Sequence, residues 1–168
     1  ERLFNEGSAR TGIYKLSSSL TRPFRLNLAN KPQQWVYSGT IKGQYAMDAL
    51  VPSERMAIGG RYSVRGFDGE RTLAGDHGVL ARQDVSLYLA NQPHAIYAGV
   101  DAGYVSMKNK DQNDLLLGHS LVGAAVGIKG EIAPLHASYD VFTGYPLKQP
   151  DGFGDKHWVS GFSLNFEF

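Results

Sequence analysis

The sequence predicts an all-β protein that forms a segment of an antiparallel transmembrane β-barrel. Three observations support this fold class. Apolar and polar residues alternate with a period of two along seven segments of more than ten residues each. The connections between these segments are alternately short and long, and aromatic residues lie near the segment ends. Together these features are typical of barrels in the bacterial outer membrane.

The first three predicted strands each have one apolar face. In the strand at 12–28 this face carries Tyr14, Leu16, Leu20, Phe24 and Leu26, and Arg22 is an exception on it. In the strand at 35–47 it carries Trp35, Tyr37, Ile41, Tyr45 and Met47. In the strand at 79–89 it carries Ala81, Val85, Leu87 and Leu89, with Gln83 out of pattern. Opposite faces of these strands are rich in Ser, Thr, Lys, Arg and Gln, which indicates one apolar and one wet side.

The remaining four strands continue the alternation. The strand at 95–107 carries Ile96, Ala98, Val100, Ala102 and Tyr104, and that at 118–131 carries Val122, Ala124, Val126 and Ile128. The sixth strand is predicted at 135–145. The last, at 158–168, has an apolar face made of Trp158, Phe162, Leu164, Phe166 and Phe168.

Loop lengths predict how the strands would sit in the membrane. Short connections fall at 29–33, 91–94 and 133–134, and long ones at 50–78, 108–116 and 147–156. In outer-membrane barrels the short turns face the periplasm and the long loops face outward, so we expect a periplasmic C-terminus. The predicted interfacial girdles consist of Tyr14, Phe24, Trp35, Tyr45, Tyr104, Tyr145 and Trp158. Alternation alone also fits a soluble barrel or sandwich with its apolar side inward.

Composition excludes several classes of protein. With 168 residues the chain is one domain, and no run of 18 apolar residues exists that could form a membrane-spanning helix. The net charge is +1 and Lys and Arg are not clustered, so nucleic acid is not an expected partner. There is no Cys, which excludes disulfides and thiolate ligands. The chain begins at Glu1 without Met or a signal peptide, which suggests a processed product or a piece of a longer protein.

An odd number of strands is not expected to close a bacterial barrel. Seven strands would leave two open edges, each with a row of unpaired backbone groups. We therefore predict that the chain is the C-terminal part of a larger barrel. Alone, it would self-associate through these edges.

The long connection at 50–78 is far above the usual loop length, which suggests function. Its middle reads Gly-Gly-Arg-Tyr-Ser-Val-Arg-Gly-Phe, ending at Phe67. In the fourth strand Gly99, Asp101 and Gly103 share the polar face, so a carboxylate stands between two positions without side chains. Arg65 is a plausible partner for Asp101, because a guanidinium binds a carboxylate through two hydrogen bonds. An alternative interpretation is that the glycines of the connection are ordinary loop glycines and that Asp101 is a solvated residue of the lumen.

These motifs resemble those of two-partner secretion transporters of the ShlB/FhaC/HecB hemolysin-activator type. The resemblance rests on the Val-Arg-Gly-Phe run, the Gly-x-Asp-x-Gly strand and the terminal Phe168, and it covers essentially all of residues 1–168. It implies about seven strands of a barrel of roughly 16. It also implies a loop that folds into the lumen, where Arg65 contacts Asp101 and the tip is completed by Val64, Gly66 and Phe67. Earlier strands, POTRA domains and a plug helix are absent from this sequence.

The final strand carries a second signal. Its aromatic and aliphatic residues, Trp158, Phe162, Leu164, Phe166 and the terminal Phe168, resemble the signal by which the barrel-assembly machinery receives its clients. The same side chains are also expected simply because they face lipid. Both interpretations can hold together.

Three other constellations are rejected as sites. His136, Ser138 and Asp140 fall at alternate positions of one predicted strand, too far apart for a hydrolytic relay. Asp111, Asn113 and Asp114 lack the Gly and closing Glu of a calcium loop. Asp76 and His77 have no further ligands at metal spacing. We therefore expect no catalytic residue, no metal and no cofactor.

The resemblance favours an outer-membrane protein that exports, and activates, a large hemolysin, adhesin or toxin-type partner protein. The loop would be held in the pore by Arg65 and Asp101. Lys15, Arg25, Lys42, Gln44, Arg82, Asp84, Lys129 and Glu131 would line a wet path of mixed charge. Two alternatives stay open at this point. One is an outer-membrane assembly factor that inserts other proteins, and the other is a passive porin or adhesin barrel.

Overall fold

The computed structural model describes residues 12–90, 92–107 and 120–167. Nine β-strands occur in the described residues. They are β1 (Ile13–Leu28), β2 (Lys31–Ala46), β3 (Met56–Ile58), β4 (Leu73–Gly75), β5 (His77–Tyr88), β6 (His94–Ser106), β7 (Ser120–Ile132), β8 (Ala137–Lys148) and β9 (Val159–Phe166). Two short 3-10 turns cover Pro52–Glu54 and Ala133–Leu135. No helix in the described residues is long and apolar enough to cross a membrane.

Seven strands form one antiparallel sheet in the order β1-β2-β5-β6-β7-β8-β9. Every neighbour in this order is also the next long strand along the chain, so the sheet is a simple up-and-down meander. The all-β, antiparallel fold class is thereby confirmed, and so is the predicted number of long strands. β3 and β4 pair only with each other, in a separate hairpin. This hairpin lies within the connection at 50–78, in which the sequence pattern predicts no strand.

The strand bounds differ from the predicted ones mainly at turns. β2 begins at Lys31 rather than at residue 35, so only Ala29 and Asn30 separate it from β1. Both residues have positive φ, 51° and 59°, as a type I′ hairpin turn requires. β8 begins after His136, which is left-handed with φ 45° and caps the second 3-10 turn. His136 is therefore not on a strand with Ser138 and Asp140, contrary to the sequence-based placement.

The register places the apolar residues of all seven strands on one face. Tyr14 lies opposite Tyr45, Val79 opposite Tyr104, and Val141 opposite Phe162. We call this the outer face, and we call the opposite one, against which the long connection packs, the lumen face. Most large apolar side chains of the outer face are exposed, including Leu16, Ile41, Val100, Val126 and Phe162. Because such a surface is unfavourable in water, its exposure agrees with a sheet that faces lipid.

The largest apolar core lies on the lumen face, not between layers of a sandwich. Leu80, Val105 and Leu121 project from β5, β6 and β7 and meet apolar side chains of the connection at 50–78. The partners from the connection are Ile58, Val64, Phe67 and Leu73, and Phe153 joins them from the loop before β9. The lumen face is therefore not uniformly polar. The long connection packs against the apolar patch of this face.

Candidate functional site in the lumen

The base of the long connection, hereafter the lumen loop (residues 47–76), is fixed by a buried carboxylate. Asp76 is completely buried and accepts a hydrogen bond of 2.9 Å from the backbone N–H of Leu50. Arg55 lies 3.5 Å from the same carboxylate and donates to the carbonyl of Leu50 at 3.1 Å. The two ends of the loop are thus tied together where it leaves the sheet. Asp76 therefore has a structural role at the base of the loop.

A tight turn then directs the tip of the loop toward the wall. The Ser63 hydroxyl oxygen accepts hydrogen bonds from the N–H groups of Gly59 and Gly60, at 3.0 and 3.1 Å. Ser63 N–H donates in turn to the carbonyl of Gly60 at 2.9 Å. Gly59 has φ 129° and a Cβ there would lie 2.6 Å from the carbonyl oxygen of Arg71. The Gly-Gly-x-x-Ser sequence therefore permits this turn, and the next residue, Val64, enters the apolar core with 0% exposure.

Arg65 and Asp101 are brought into direct contact. The Nε of Arg65 donates to Oδ2 of Asp101 at 2.7 Å, and Nη2 donates to Oδ1 at 2.6 Å. The backbone N–H of Arg65 donates to the same Oδ2 at 2.9 Å. Both side chains are buried, with 4% and 1% of Arg65 and Asp101 exposed. This is a two-pronged pair of the kind that fixes the position of a guanidinium as well as neutralising it.

Three further residues complete a cluster that the sequence reasoning did not assemble. Nη2 of Arg65 also donates to Oδ1 of Asp84 at 2.7 Å, and Arg82 Nε lies 3.6 Å from Oδ2 of Asp101. The ring of Tyr97 lies 5.8 Å from the Arg65 guanidinium carbon, and its hydroxyl donates to Asp140 at 2.6 Å. The sequence predicts Arg82 and Asp84 among the residues that line an open path, but in the structure they contact the Arg65–Asp101 pair. We call these four charged residues, together with Tyr97, the anchor.

Strand register is the signal that could have found these residues. Arg82 lies directly opposite Asp101, and Asp84 lies opposite Gly99. Once the β5–β6 hairpin is aligned, both carboxylates fall beside the same gap in the wall. The two Arg and two Asp side chains carry no net formal charge, so the cluster is electrically balanced inside a partly dry site.

The carboxylates keep Arg65 charged. Burial by itself lowers the pKa of a guanidinium, but the hydrogen bonds and charges of Asp101 and Asp84 outweigh burial and raise the pKa of Arg65 above its ordinary value. Arg65 is consequently a permanent cation, and the anchor does not weaken through loss of its proton within the physiological pH range.

Glycines of the wall make room for the loop tip. A Cβ at Gly99 would lie 2.7 Å from Nη2 of Arg65, and a Cβ at Gly123 would overlap the carbonyl oxygen of Arg65. Gly103 leaves space for Ile58 and Val64, not for a cation as its spacing from Asp101 had suggested. Of these contacts, the closest joins the backbone of Gly123 to the backbone carbonyl of Arg65.

At the tip itself Gly66 has φ 103°, and a Cβ there would lie 2.8 Å from the carbonyl carbon of Tyr145. Gly144 leaves the space on the other side, since its Cβ would lie 2.7 Å from Gly66 N. The backbone of the tip therefore lies directly against the backbone of β8. No residue with a side chain fits at position 66.

Phe67 and its neighbours connect the tip to the loop between β8 and β9. The Phe67 and Phe153 rings meet edge to face, with centroids 5.6 Å apart. Asp68 Oδ2 lies 3.0 Å from Nε2 of His157, and Arg71 donates to the carbonyl of Gly152. The hydrogen bond that Nδ1 of His157 donates to the backbone carbonyl of Asp155 is the main factor that raises the pKa of the exposed His157, while limited burial opposes it and Asp68 adds to it.

The candidate assembly signal lies on the outer face as far as the structure describes it. Trp158, Phe162, Leu164 and Phe166 are all exposed, and Trp158 lies beside Tyr145 with ring centroids 5.1 Å apart. Phe168 lies outside the described residues, as do Asp111, Asn113 and Asp114. Within residues 12–90, 92–107 and 120–167, no three His, Asp or Glu side chains lie close enough together to hold a metal ion.

Comparison with known proteins places this geometry in a family. The family described as "Haemolysin secretion/activation protein ShlB/FhaC/HecB" matches residues 3–130. The outer membrane transporter CdiB-2 of Burkholderia pseudomallei is 34% identical over 155 residues, which are 91% of this chain and 25% of that protein. CdiB of Dickeya dadantii is 32% identical over 136 residues, 79% of this chain and 23% of that protein.

Solved structures give the same result. The structure of CdiB from Acinetobacter baumannii has a TM-score of 0.78 and 38% identity, covering 94% of this chain and 27% of that one. CdiB from Escherichia coli has a TM-score of 0.72 and 25% identity, covering 92% and 27%. The chain thus spans about a quarter of the length of these relatives. The family match over residues 3–130, together with relatives that are 34% and 32% identical over most of the chain, shows that the chain belongs to the ShlB/FhaC/HecB family of haemolysin secretion/activation proteins.

Proposed function

We propose that this chain is the C-terminal barrel region of an outer-membrane transporter in a two-partner secretion system. The complete protein exports a large partner of the hemolysin, adhesin or toxin type through its barrel, and no catalytic step or cofactor takes part. The observation that carries the proposal is family membership, because relatives that share this region are named outer membrane transporters. The long loops face the cell exterior and the C-terminus faces the periplasm.

The lumen loop supports a transport role in a specific way. Its tip is held by a charge-neutral cluster and by the apolar core on the lumen face. These are fewer interactions than the continuous rows of backbone hydrogen bonds that join the seven strands of the sheet. The loop is therefore the part of the molecule that can leave its position without the sheet coming apart. In this proposal the docked loop keeps the barrel in the shape that conducts an unfolded polypeptide.

Lumen-facing polar residues outside the anchor provide the path. Lys15, Arg25 and Lys42 on β1 and β2 are exposed, as is Glu131 at the end of β7. Gln44 donates to the carbonyl of Glu54 at 2.9 Å and belongs to the loop base, while Lys129 lies over the Tyr97 ring at 5.4 Å. Four exposed charged side chains of mixed sign, rather than the eight polar residues that the sequence suggests, therefore remain for the path.

Deleting the complete gene in its host tests the proposal. Culture supernatant and outer-membrane proteome of the deletion strain would be compared with the parent by mass spectrometry. Loss of one very large secreted protein, with other barrels unchanged, is the expected result. Broad depletion of unrelated barrels would establish an assembly factor instead, and no change in either fraction would support a passive porin or adhesin. Complementation with the wild-type gene controls for effects on neighbouring genes.

A further inference from the structure

Two polar residues of the outer face lie on the two strands that flank β2. Arg22 projects from β1 and Gln83 from β5, and both are exposed. Arg22 lies directly opposite Tyr37 of β2. The Tyr37 hydroxyl donates to Oε1 of Gln83 at 3.4 Å. Three neighbouring strands therefore present one polar cluster, consisting of Arg22, Tyr37 and Gln83, on a face that is largely apolar.

A glycine makes this cluster possible. Gly39 lies opposite Gln83, and a Cβ at Gly39 would lie only 2.7 Å from the Tyr37 hydroxyl. Because Gly39 has no Cβ, the phenol of Tyr37 passes over it and reaches Gln83. This hydrogen bond uses the amide oxygen of Gln83, so the two N–H donors of the same amide remain available to another acceptor. Arg22 adds donors only, and among the described residues no carboxylate forms an ion pair with it.

The aromatic residues beside the cluster define its depth. Phe24 and Trp35 stack with centroids 6.4 Å apart on the side of the two-residue turn. Aromatic pairs at this position mark the membrane interface. Arg22 is two residues farther along the strand, roughly 7 Å. Its long side chain can therefore reach the level of the lipid phosphates while its stem lies on apolar surface.

A shallow and largely open groove runs beside the cluster, away from Arg22. It has a volume of about 460 Å³ and continues from Tyr37 and Gln83 over Ala98, Val100 and Ala124. Small side chains leave the outer face recessed here, whereas larger ones stand out elsewhere on the same face. A recess with an apolar floor and donors at one end suits an amphipathic molecule with an anionic head and a hydrocarbon chain.

We propose that this surface binds one anionic glycerophospholipid of the leaflet on the short-turn side. The phosphate binds the Arg22 guanidinium and the Gln83 amide N–H groups, and an acyl chain lies in the groove over Ala98 and Ala124. The unmatched cation favours an anionic lipid over a zwitterionic one. This assignment depends on the membrane location in the proposed function.

Native mass spectrometry of the complete transporter in detergent tests the assignment, with phosphatidylglycerol titrated as the probe. Arg22→Leu is expected to weaken the first lipid-binding step about tenfold, and Gln83→Leu severalfold. Arg25→Leu is the matched control, because the same change on the lumen face of the same strand should leave the step unchanged. Leucine suits a lipid-facing position, and heat-dependent mobility in gels verifies that each variant is a folded barrel.

Several outcomes would overturn the assignment. Equal affinity of Arg22→Leu and wild type for phosphatidylglycerol would show that the cluster is not a lipid site. Tighter Arg22-dependent binding of lipid A than of phosphatidylglycerol would place the ligand in the other leaflet. A shift of Arg22→Leu from dimer to monomer, without change in lipid binding, would assign the surface to a protein contact. Lipid binding by purified protein is independent of secretion, so failure of the transport proposal remains distinguishable.

Discussion

Replacing Arg65 with alanine should release the tip of the lumen loop while the barrel remains folded. Arg65 makes three hydrogen bonds to Asp101 and one to Asp84, all at 2.6–2.9 Å; one of them is from the backbone and survives the substitution. Removing one partner of a buried ion pair costs about 3–5 kcal/mol, because the other charge is left without compensation. Arg82, 3.6 Å from Asp101, supplies part of that compensation, so the lower end of the range applies.

A cysteine at position 64 measures the release. Val64 is 0% exposed, so a thiol there reacts with a maleimide only when the tip leaves the wall. A cost of about 3 kcal/mol predicts that labelling of Val64→Cys becomes roughly a hundredfold faster when Arg65→Ala is added. Arg25→Ala, also on a lumen-facing position but outside the anchor, serves as the control. Heat-dependent mobility in gels should be the same for all variants.

Comparing Arg65→Ala with the control Arg25→Ala distinguishes an effect on transport from an effect on assembly of the barrel. Arg65→Ala should reduce secretion of the partner more than it reduces the amount of barrel in the outer membrane. Arg65→Lys should give an intermediate labelling rate, because an ammonium keeps the charge but cannot bind two carboxylates through a planar fork. If Val64→Cys reacts equally fast with and without Arg65, the cluster does not hold the loop, and the reasoning from buried charge is wrong.

Three further predictions concern the wall, the contact between the lumen loop and the loop before β9, and the aromatic support. Gly123→Ala should accelerate labelling of Val64→Cys as strongly as Arg65→Ala, because its Cβ would overlap the Arg65 carbonyl, whereas Gly43→Ala, with its nearest neighbour at 3.8 Å, should leave the rate unchanged. Because the pKa of His157 is raised in the folded protein, its ion pair with Asp68 stabilises docking fully below about pH 6.5 and is lost as pH rises through the raised pKa. Asp68→Asn should therefore accelerate labelling at pH 5.5 and have little effect at pH 8.5, after correction for thiol ionisation. Tyr97→Phe should leave labelling nearly unchanged, while Tyr97→Leu should accelerate it by the loss of a cation–π contact of about 0.5–2 kcal/mol; equal effects would assign the role to the hydroxyl.

Much of the sheet could be predicted because alternation is a strong local signal. Residues such as Ile96, Val100 and Tyr104 share a face for simple geometric reasons, and their strand needed no knowledge of its neighbours. Turn positions were less predictable. Ala29 and Asn30 both adopt positive φ, and since Ala has no preference for that region, nothing in its identity marks a two-residue turn.

The anchor was only partly predictable, because it depends on contacts between distant segments. A guanidinium and a carboxylate flanked by glycines suggest a pair, and the structure places Arg65 on Asp101. Asp84 and Arg82 required the register of β5 against β6, which alternation within one strand does not provide. The β3–β4 hairpin was missed for the same reason. Its strands have three residues each, too few for a period to emerge, and they form because Ile58 and Leu73 enter a core supplied by other strands.

Docking of the lumen loop combines two interactions of different character, and this suggests the order of its release. Ile58 and Leu73 hold the β3–β4 hairpin in the apolar core, an attachment that tolerates small shifts because apolar contact is not directional. The contacts of the tip do not tolerate such shifts. Gly66 lies directly against the backbone of β8, and the two hydrogen bonds between the Arg65 guanidinium and Asp101 require a fixed geometry. A displacement of the wall by an ångström therefore breaks the tip contacts before those of the hairpin. The tip contacts are accordingly the part of the docked loop that is most sensitive to a shift of the wall, while the apolar contacts of the hairpin tolerate such a shift.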